Sequence, residues 1–192
     1  MSYGTAEAIA RRVRSLPQGL QRHIQRVQDV AAKLAGVHDA DEERVRLGAM
    51  AHDVARAMNG DELLAHARDM GIPVHPVEAA VPVLLHGPVG AELLRRLHGL
   101  EDREVYEAVY WHSTAHKDLG VLGKIVFLAD KLDPHKKARY PFIDRVERLA
   151  AKSLDRAVAE FLSRELVDLI GQGSLVHPAS VEARNRLLLK HG

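Results

Sequence analysis

Apolar residues recur at intervals of three and four along nearly the whole chain, and no stretch shows sustained two-residue alternation with β-branched enrichment. That pattern predicts an all-α protein. In "LQRHIQRVQDVAAKLAG", His23, Val27, Val30 and Leu34 share one face, with Gly36 placed to end the helix. Asp41 reads as the N-cap of a helix over "EERVRLGAMAHDVARAM", whose acidic first turn suits the helix dipole. "GDELLAHARDMG" predicts a short helix between Gly60 and Gly71. "VEAAVPVLLHGPVGAELLRRLHG" predicts two helices meeting near His86 and Gly87, because Pro88 suits the first turn of a new helix. Val105, Ala108, Val109 and His112 align within "DREVYEAVYWHSTA". Val121, Ile125, Leu128 and Leu132 align within "LGVLGKIVFLADKLDP", which Pro134 ends. "IDRVERLAAKSLDRAVAEFLSRELVDLIGQG" reads as one long amphipathic helix closing at Gly171 to Gly173, and the loop "SLVHPAS" leads to a last helix, "VEARNRLLLK". With no repeat, low-complexity tract or linker, the expectation is a single domain over residues 1–192.

At 192 residues, 46% hydrophobic and 28% charged, the chain is long and apolar enough to build a packed globular core. The formal net charge of +1 gives no general attraction to nucleic acid or to a membrane surface. The absence of cysteine excludes disulfides, thiolate metal sites, iron–sulfur clusters and cysteine nucleophiles. "MSYGTAEAIARRVRSL" lacks the apolar core of a signal peptide, and no run is long enough to cross a bilayer, so a cytoplasmic protein is expected. The 12 histidines are the unusual component.

Several of them, with two aspartates, fall where helical patterning turns side chains toward the core or an inter-helix cleft: His23, His52, Asp53, His86, His112 and Asp130, with His177 in a loop. Each alone has a structural explanation as a satisfied core histidine or a solvated carboxylate. Together, buried imidazoles and carboxylates need mutual partners. A metal ion is the economical one, since imidazole and carboxylate suit Fe, Mn, Zn or Co, and bundle cores build such sites from facing helices. Adjacent helical positions diverge by roughly 100°. His52 and Asp53 therefore reach one site only if it lies in a cleft beside their helix. His38, His66, His75, His98, His116 and His191 fall in polar or boundary segments and are expected at the surface. Trp111, Tyr106 and Tyr110 read as helix packing, and Arg22 and Arg56 as solvated helix charges.

The ordered set His23, His52-Asp53, His86, His112 and Asp130 resembles the HD-domain superfamily of metal-dependent phosphohydrolases. The finer likeness is to the YqeK family, symmetrical bis(5'-nucleosyl)-tetraphosphatases. It is carried by "RHIQRV", "LGAMAHDVAR", "LLHGPVGA", "YWHSTA", "LGKIVFLADKLDP" and "GSLVHPASVEARNRLL", from about Leu20 to Leu188. The resemblance implies an HD-domain helical bundle that hydrolyses diadenosine tetraphosphate into two ADP at an iron-containing site, with one ion or two. By motif, His23, His52, Asp53 and Asp130 would hold the principal metal, while His86 and His112 would complete a second metal position or bind phosphate. Manganese, cobalt or zinc would suit the same ligands. A homodimer is compatible with the sequence.

Three positions depart from the family pattern. Arg56 stands where a lysine is usual after the His-Asp pair, Ala115 where the segment after His112 usually has glycine, and Lys136 where an arginine is usual. Lysine keeps the charge of arginine without its planar fork. In the implied chemistry a metal supplies an activated water and offsets phosphate charge. Asp53 would hold that water in line with the scissile phosphorus and Asp130 accept its proton. His86 and His112 would neutralise the transferring phosphate, and Lys136 a neighbouring one. Gly173, Ser174, Leu175, Val176, His177 and Pro178 resemble the family's nucleotide-contacting segment. Two other readings remain open on the sequence: an HD-type 5'-nucleotidase or other small-phosphoester hydrolase, and a nucleotide-sensing module without catalysis.

Overall fold

The computed structural model describes residues 3–190, and among them the secondary structure is helical throughout, with no strand. Eleven α-helices follow one another: α1 (Tyr3–Arg14), α2 (Gln18–Val37), α3 (Glu42–Ala51), α4 (Gly60–Met70), α5 (Pro76–Ala80), α6 (His86–His98), α7 (Arg103–Trp111), α8 (Val121–Lys131), α9 (Ile143–Ala150), α10 (Leu154–Gly171) and α11 (Pro178–Leu189). Short 3-10 turns at Pro82–Leu85 and Pro134–Lys136 precede α6 and follow α8. The all-α expectation holds. His191, expected at the surface, lies outside the described residues.

Local chemistry sets the helix ends. Asp41 caps α3 by accepting from the Arg44 N–H, as its sequence position predicts. Asn59 and Glu62 form a reciprocal capping box at the start of α4. Four boundaries differ from the periodicity. Gly36 does not stop α2, which runs to Val37 before Asp39 takes the left-handed turn (φ 49°). The segment 42–58 is not one helix: α3 ends at Ala51 and residues 52–57 are turns, which takes His52 and Asp53 off the helix body. The long amphipathic helix is two, because the Ser153 hydroxyl caps a new start by accepting from the Arg156 N–H, giving α9 and α10. The last helix begins at Pro178 rather than Val181, since proline fits its first turn and His177 caps it. The amino-terminal α1, which the periodicity did not single out, packs through the fully buried Ile9.

The core centres on α8, in which every residue from Ile125 to Lys131 is buried. It packs against α2, α3, α7 and α10. Phe127 meets Phe161 of α10 edge-on at 5.6 Å between ring centroids, and Tyr140 meets Phe161 at 5.0 Å. A smaller cluster of Ala55, Leu63, Ala67, Ile72, Leu85 and Val89 seats α4 and the 3-10 turn against α6. Helix α6 comes close to the end of α7 at Gly87. A Cβ there would lie 2.6 Å from the Tyr110 carbonyl oxygen and 3.3 Å from His112 Nδ1, so only glycine fits.

The starts of α3 and α7 are tied together. Arg44 donates to both oxygens of Asp102, the N-cap of α7, at 2.8 Å each, and its Nη2 also reaches Glu104 Oε2 at 2.7 Å. The Arg44 hydrogen bonds hold the Asp102 carboxyl below its usual range. Replacing Arg44 with leucine is therefore expected to lower the thermal midpoint by several degrees at pH 7. A depressed carboxyl contributes stability that is complete above its ordinary value of about 4 and lost as pH falls through the lower folded value. The gap between wild type and variant should close in acid, as read by thermal melts across a pH series.

Candidate metal centre

Three helical segments end immediately before a histidine. Ala51 closes α3 before His52, Trp111 closes α7 before His112, and Leu85 closes a 3-10 turn before His86. Each imidazole folds back on its own helix end. His52 Nδ1 lies 2.7 Å from the Ala49 carbonyl, His112 Nδ1 lies 2.7 Å from that of Val109, and His86 Nδ1 bonds the Val83 carbonyl. A carbonyl only accepts, so Nδ1 carries the proton in all three rings and Nε2 turns into the cleft. The fourth ring, His23 from the middle of α2, is held by a carboxylate: its Nδ1 donates to Asp133 Oδ2 at 2.6 Å, while Arg26 clamps both Asp133 oxygens at 2.7 and 2.9 Å.

The four Nε2 atoms converge with two carboxylates. His23 Nε2 lies 3.3 Å from His52 Nε2 and 3.1 Å from Asp130 Oδ1. His86 Nε2 lies 2.9 Å from His112 Nε2. Asp53 stands between the two pairs. Its Oδ2 faces His23 and His52 at 3.6 and 3.5 Å, and its Oδ1 faces His86 and His112 at 3.1 and 3.5 Å. All six residues named from the sequence thus meet at one place, and all but the slightly more open His23 are buried.

This donor set fits a metal ion. Two imidazole nitrogens with their protons on Nδ1 repel one another at 3 Å unless a cation stands between them. Metal bonds of about 2.0–2.2 Å place neighbouring ligand atoms roughly 3.0–3.5 Å apart, the spacing seen here. His23, His52 and Asp130 form one group able to hold a metal, and His52, Asp53 and His112 another. The ligands are nitrogen and oxygen with no sulfur, and the rings are oriented by carbonyls and a carboxylate, as metal-ligating histidines commonly are. Burial pushes His112 down to about 4, so this ring is neutral near pH 7 with its lone pair free. For His52, burial also works downward, but the charges of Asp53 and Asp130 outweigh it and raise the ring.

Sequence reasoning missed Lys131 as a support of Asp130, and gave Lys136 to phosphate alone. Lys131 is buried, donates to Asp130 Oδ2 at 2.8 Å and to the His112 carbonyl at 3.2 Å, and lies over the Phe127 ring. Lys136 bonds the other oxygen, Asp130 Oδ1. Burial alone would raise the Asp130 carboxyl, but Lys131, the facing histidines and Lys136 hold it well below the usual range. Asp133, Arg26 and Lys131 carried no periodicity signal. The "LDP" turn beyond the helix was the one visible cue for Asp133.

The cluster floors a cleft of about 460 Å³ whose walls include Leu20, Arg56, Val83, Lys136, Arg139 and Glu165. Arg56, read from the sequence as a solvated charge, lines it, and Arg22 does not. Residues Gly173 to Pro178 are not among its lining residues. His177 instead caps α11, accepting from the Ala179 N–H at 3.2 Å. Its Nε2 lies 3.6 Å from Glu78 Oε1 and is buried without a hydrogen bond. Ser180 joins this segment to the Thr114 carbonyl at 2.7 Å, one residue from the cleft residue Ser113. Ala115 has φ 61°, so the turn made elsewhere by glycine is kept by an alanine in a left-handed conformation. Of the histidines expected at the surface, His75 is exposed, whereas His38, His66, His98 and His116 are half-buried. His38 bonds the Ala150 carbonyl and His116 stacks on Trp111.

The HD domain family model matches residues 20–135, a span that holds all six converging residues. The chain belongs to the HD domain family. A Halalkalibacterium halodurans protein named symmetrical bis(5'-nucleosyl)-tetraphosphatase is 28% identical over 169 residues, covering 88% of this chain and 89% of the relative. A Bacillus subtilis protein of the same name is 27% identical, over 95% of this chain and 96% of the relative. A crystal structure from Clostridium acetobutylicum, described as a predicted HD superfamily hydrolase involved in NAD metabolism, superposes with a TM-score of 0.90 at 26% identity. The match covers 99% of this chain and 98% of that one. No helix of this HD domain is long and apolar enough to cross a membrane, among the described residues.

Two substitutions separate ligation from support. His52→Ala is expected to abolish stoichiometric metal binding. Asp133→Asn, which weakens the hold on His23 Nδ1, is expected to lower metal affinity about 10–100-fold with the fold retained. Metal content by mass spectrometry, with circular dichroism as the folding control, checks both.

Proposed function

We propose that this HD domain is a metal-dependent phosphohydrolase that cleaves diadenosine tetraphosphate symmetrically into two ADP, with residues 1–192 acting as one domain whose core spans about 20–188. One observation carries the reading. Four imidazole nitrogens and two carboxylates converge at the floor of a cleft whose walls bear Arg56, Lys136 and Arg139, the charge pattern that a polyphosphate requires. The names of the relatives supply the substrate. The metal is assigned as iron, which His23, His52, Asp53 and Asp130 would hold; His86 and His112, facing the other Asp53 oxygen, would hold a second ion or bind phosphate. Manganese, cobalt and zinc fit the same donors.

When bound, the metal supplies a nucleophilic water near neutral pH and neutralises phosphoryl charge. The protein's own groups do the rest. Asp53 presents one oxygen to each histidine pair and so fixes the line of attack between them. Asp130, kept ionised by Lys131 and Lys136, accepts the proton of the attacking water. His86 and His112, with Ser113 Oγ at 3.3 Å from each Nε2, face the phosphoryl group being transferred. Lys136 reaches from Asp130 to the adjoining phosphate, and Arg56 and Arg139 neutralise the outer ones. The segment Gly173, Ser174, Leu175, Val176, His177 and Pro178 is assigned to one nucleoside; it adjoins the cleft through Ser180, whose hydroxyl bonds the Thr114 carbonyl beside the cleft residue Ser113. Attack at the phosphorus second from one adenosine expels ADP and leaves ADP.

Metal-loaded protein incubated with diadenosine tetraphosphate is expected to give ADP as the sole nucleotide product. AMP with ATP would overturn the symmetrical assignment. Inorganic phosphate released from nucleoside monophosphates, with the tetraphosphate left intact, would place the protein among the nucleotidases. Asp53→Asn is expected to lower kcat by at least about 10²-fold, in line with the loss of a group acting in the transition state.

A further inference from the structure

Glu165 enters the catalytic cleft from α10 and has no part in the chemistry just described. It lies one helical turn beyond Phe161, whose ring packs on Tyr140 and Phe127, so the side chain emerges beside Tyr140 and the Lys131 end of α8. Among the described residues it makes no hydrogen bond and no ion pair, although cations stand near it. Those cations are engaged elsewhere. Lys131 is held by Asp130 and the His112 carbonyl, Lys136 by Asp130, and Arg139 lies over the Tyr140 ring at 5.3 Å. Its carboxylate oxygens are open to the cleft and not committed to another side chain, so they are available to a ligand that enters it.

We propose that Glu165 recognises the sugar of a bound nucleotide, accepting hydrogen bonds from the ribose hydroxyls. The inference rests on the reading that nucleotides occupy this cleft. A carboxylate repels phosphate at contact distance, so the substrate atoms that meet Glu165 are neutral donors. The ribose diol is the donor pair nearest the phosphates along the molecule, and Glu165 shares the cleft with the cations assigned to those phosphates. Acidic side chains read ribose hydroxyls in the same way in dinucleotide-binding folds. Burial pushes the Glu165 carboxyl above its usual range despite Lys131 and Arg139, which agrees with a group that lacks a partner until ligand arrives. Because a tetraphosphate carries two nucleosides, Glu165 and the 173–178 segment serve different ends of the same molecule.

The test uses binding rather than turnover. Manganese-loaded wild type, Glu165→Ala and Glu165→Gln are titrated calorimetrically with ADP and with 2',3'-dideoxy-ADP. Wild type is expected to bind ADP about tenfold more tightly than the dideoxy nucleotide, the worth of a hydrogen-bonded pair to a charged acceptor. Glu165→Ala should bind the two alike, with its thermal midpoint unchanged. Should that variant fail to fold, the isosteric Glu165→Gln carries the test, its ratio falling to about threefold. Equal binding of both nucleotides by wild type, full discrimination retained in the variants, or no ADP binding at all would overturn the proposal. Absence of tetraphosphate hydrolysis alone would overturn only the reading of the substrate, since the discrimination is measured without it.

Discussion

The site depends on one interaction repeated at three helix ends, the donation of a histidine Nδ1–H to the carbonyl three residues earlier. A helix leaves its last carbonyls without intrahelical partners. At Ala49 and Val109 a histidine placed just past the end satisfies one of them and, by doing so, has both its tautomer and its orientation chosen. The Val83 carbonyl, which also takes the His86 N–H, orients the third ring in the same way. The cost of a helix terminus and the problem of aiming an imidazole are solved by the same bond. His23 lies mid-helix, where the backbone offers no free carbonyl, and there Asp133 takes that role with Arg26 holding it.

Around this arrangement the protein balances charge. Two ionised carboxylates in a helical core are unfavourable without cations close by. Lys131 and Lys136 bracket Asp130, and the buried lysine also bonds the end of α7, so a charge that stabilises one carboxylate of the cluster fixes the helix that leads to one of its histidines. Arg44 makes a matching connection at the opposite ends of α3 and α7. Both helices are thereby fixed at the end remote from the site as well as at the end that forms it. The close approach at Gly87 completes the alignment by bringing His86 against His112.

Much of this was legible in the sequence, and the reasons differ by feature. The helical class followed from apolar spacing, because burial of one face leaves a periodic record. The six converging residues were visible as polar groups on that record. The helix ends were not, since periodicity continues through "AHDVARAM" although the backbone turns at His52. Capping chemistry would have been the better guide there and at Ser153, where a hydroxyl divides what hydrophobicity joins. Lys131 escaped notice because a lysine beside an aspartate near a helix end reads as solvated; only tertiary packing shows it buried. The loop 173–178 was recognised by resemblance, and nothing in its spacing indicated that His177 would bind its own helix start rather than open into the cleft.

The fixed Nδ1 protons have a consequence for how this protein meets acid. With that nitrogen committed in every ring, an incoming proton has one place to go, the Nε2 lone pair that a metal would use. Hydrogen ions and metal ions are therefore direct competitors for the same four positions. Acidification acts as a chelator would, by occupying the lone pairs that ligation needs. At neutral pH each Nδ1 proton is already placed by its carbonyl or carboxylate, so the tautomer that ligation needs is chosen before any metal arrives.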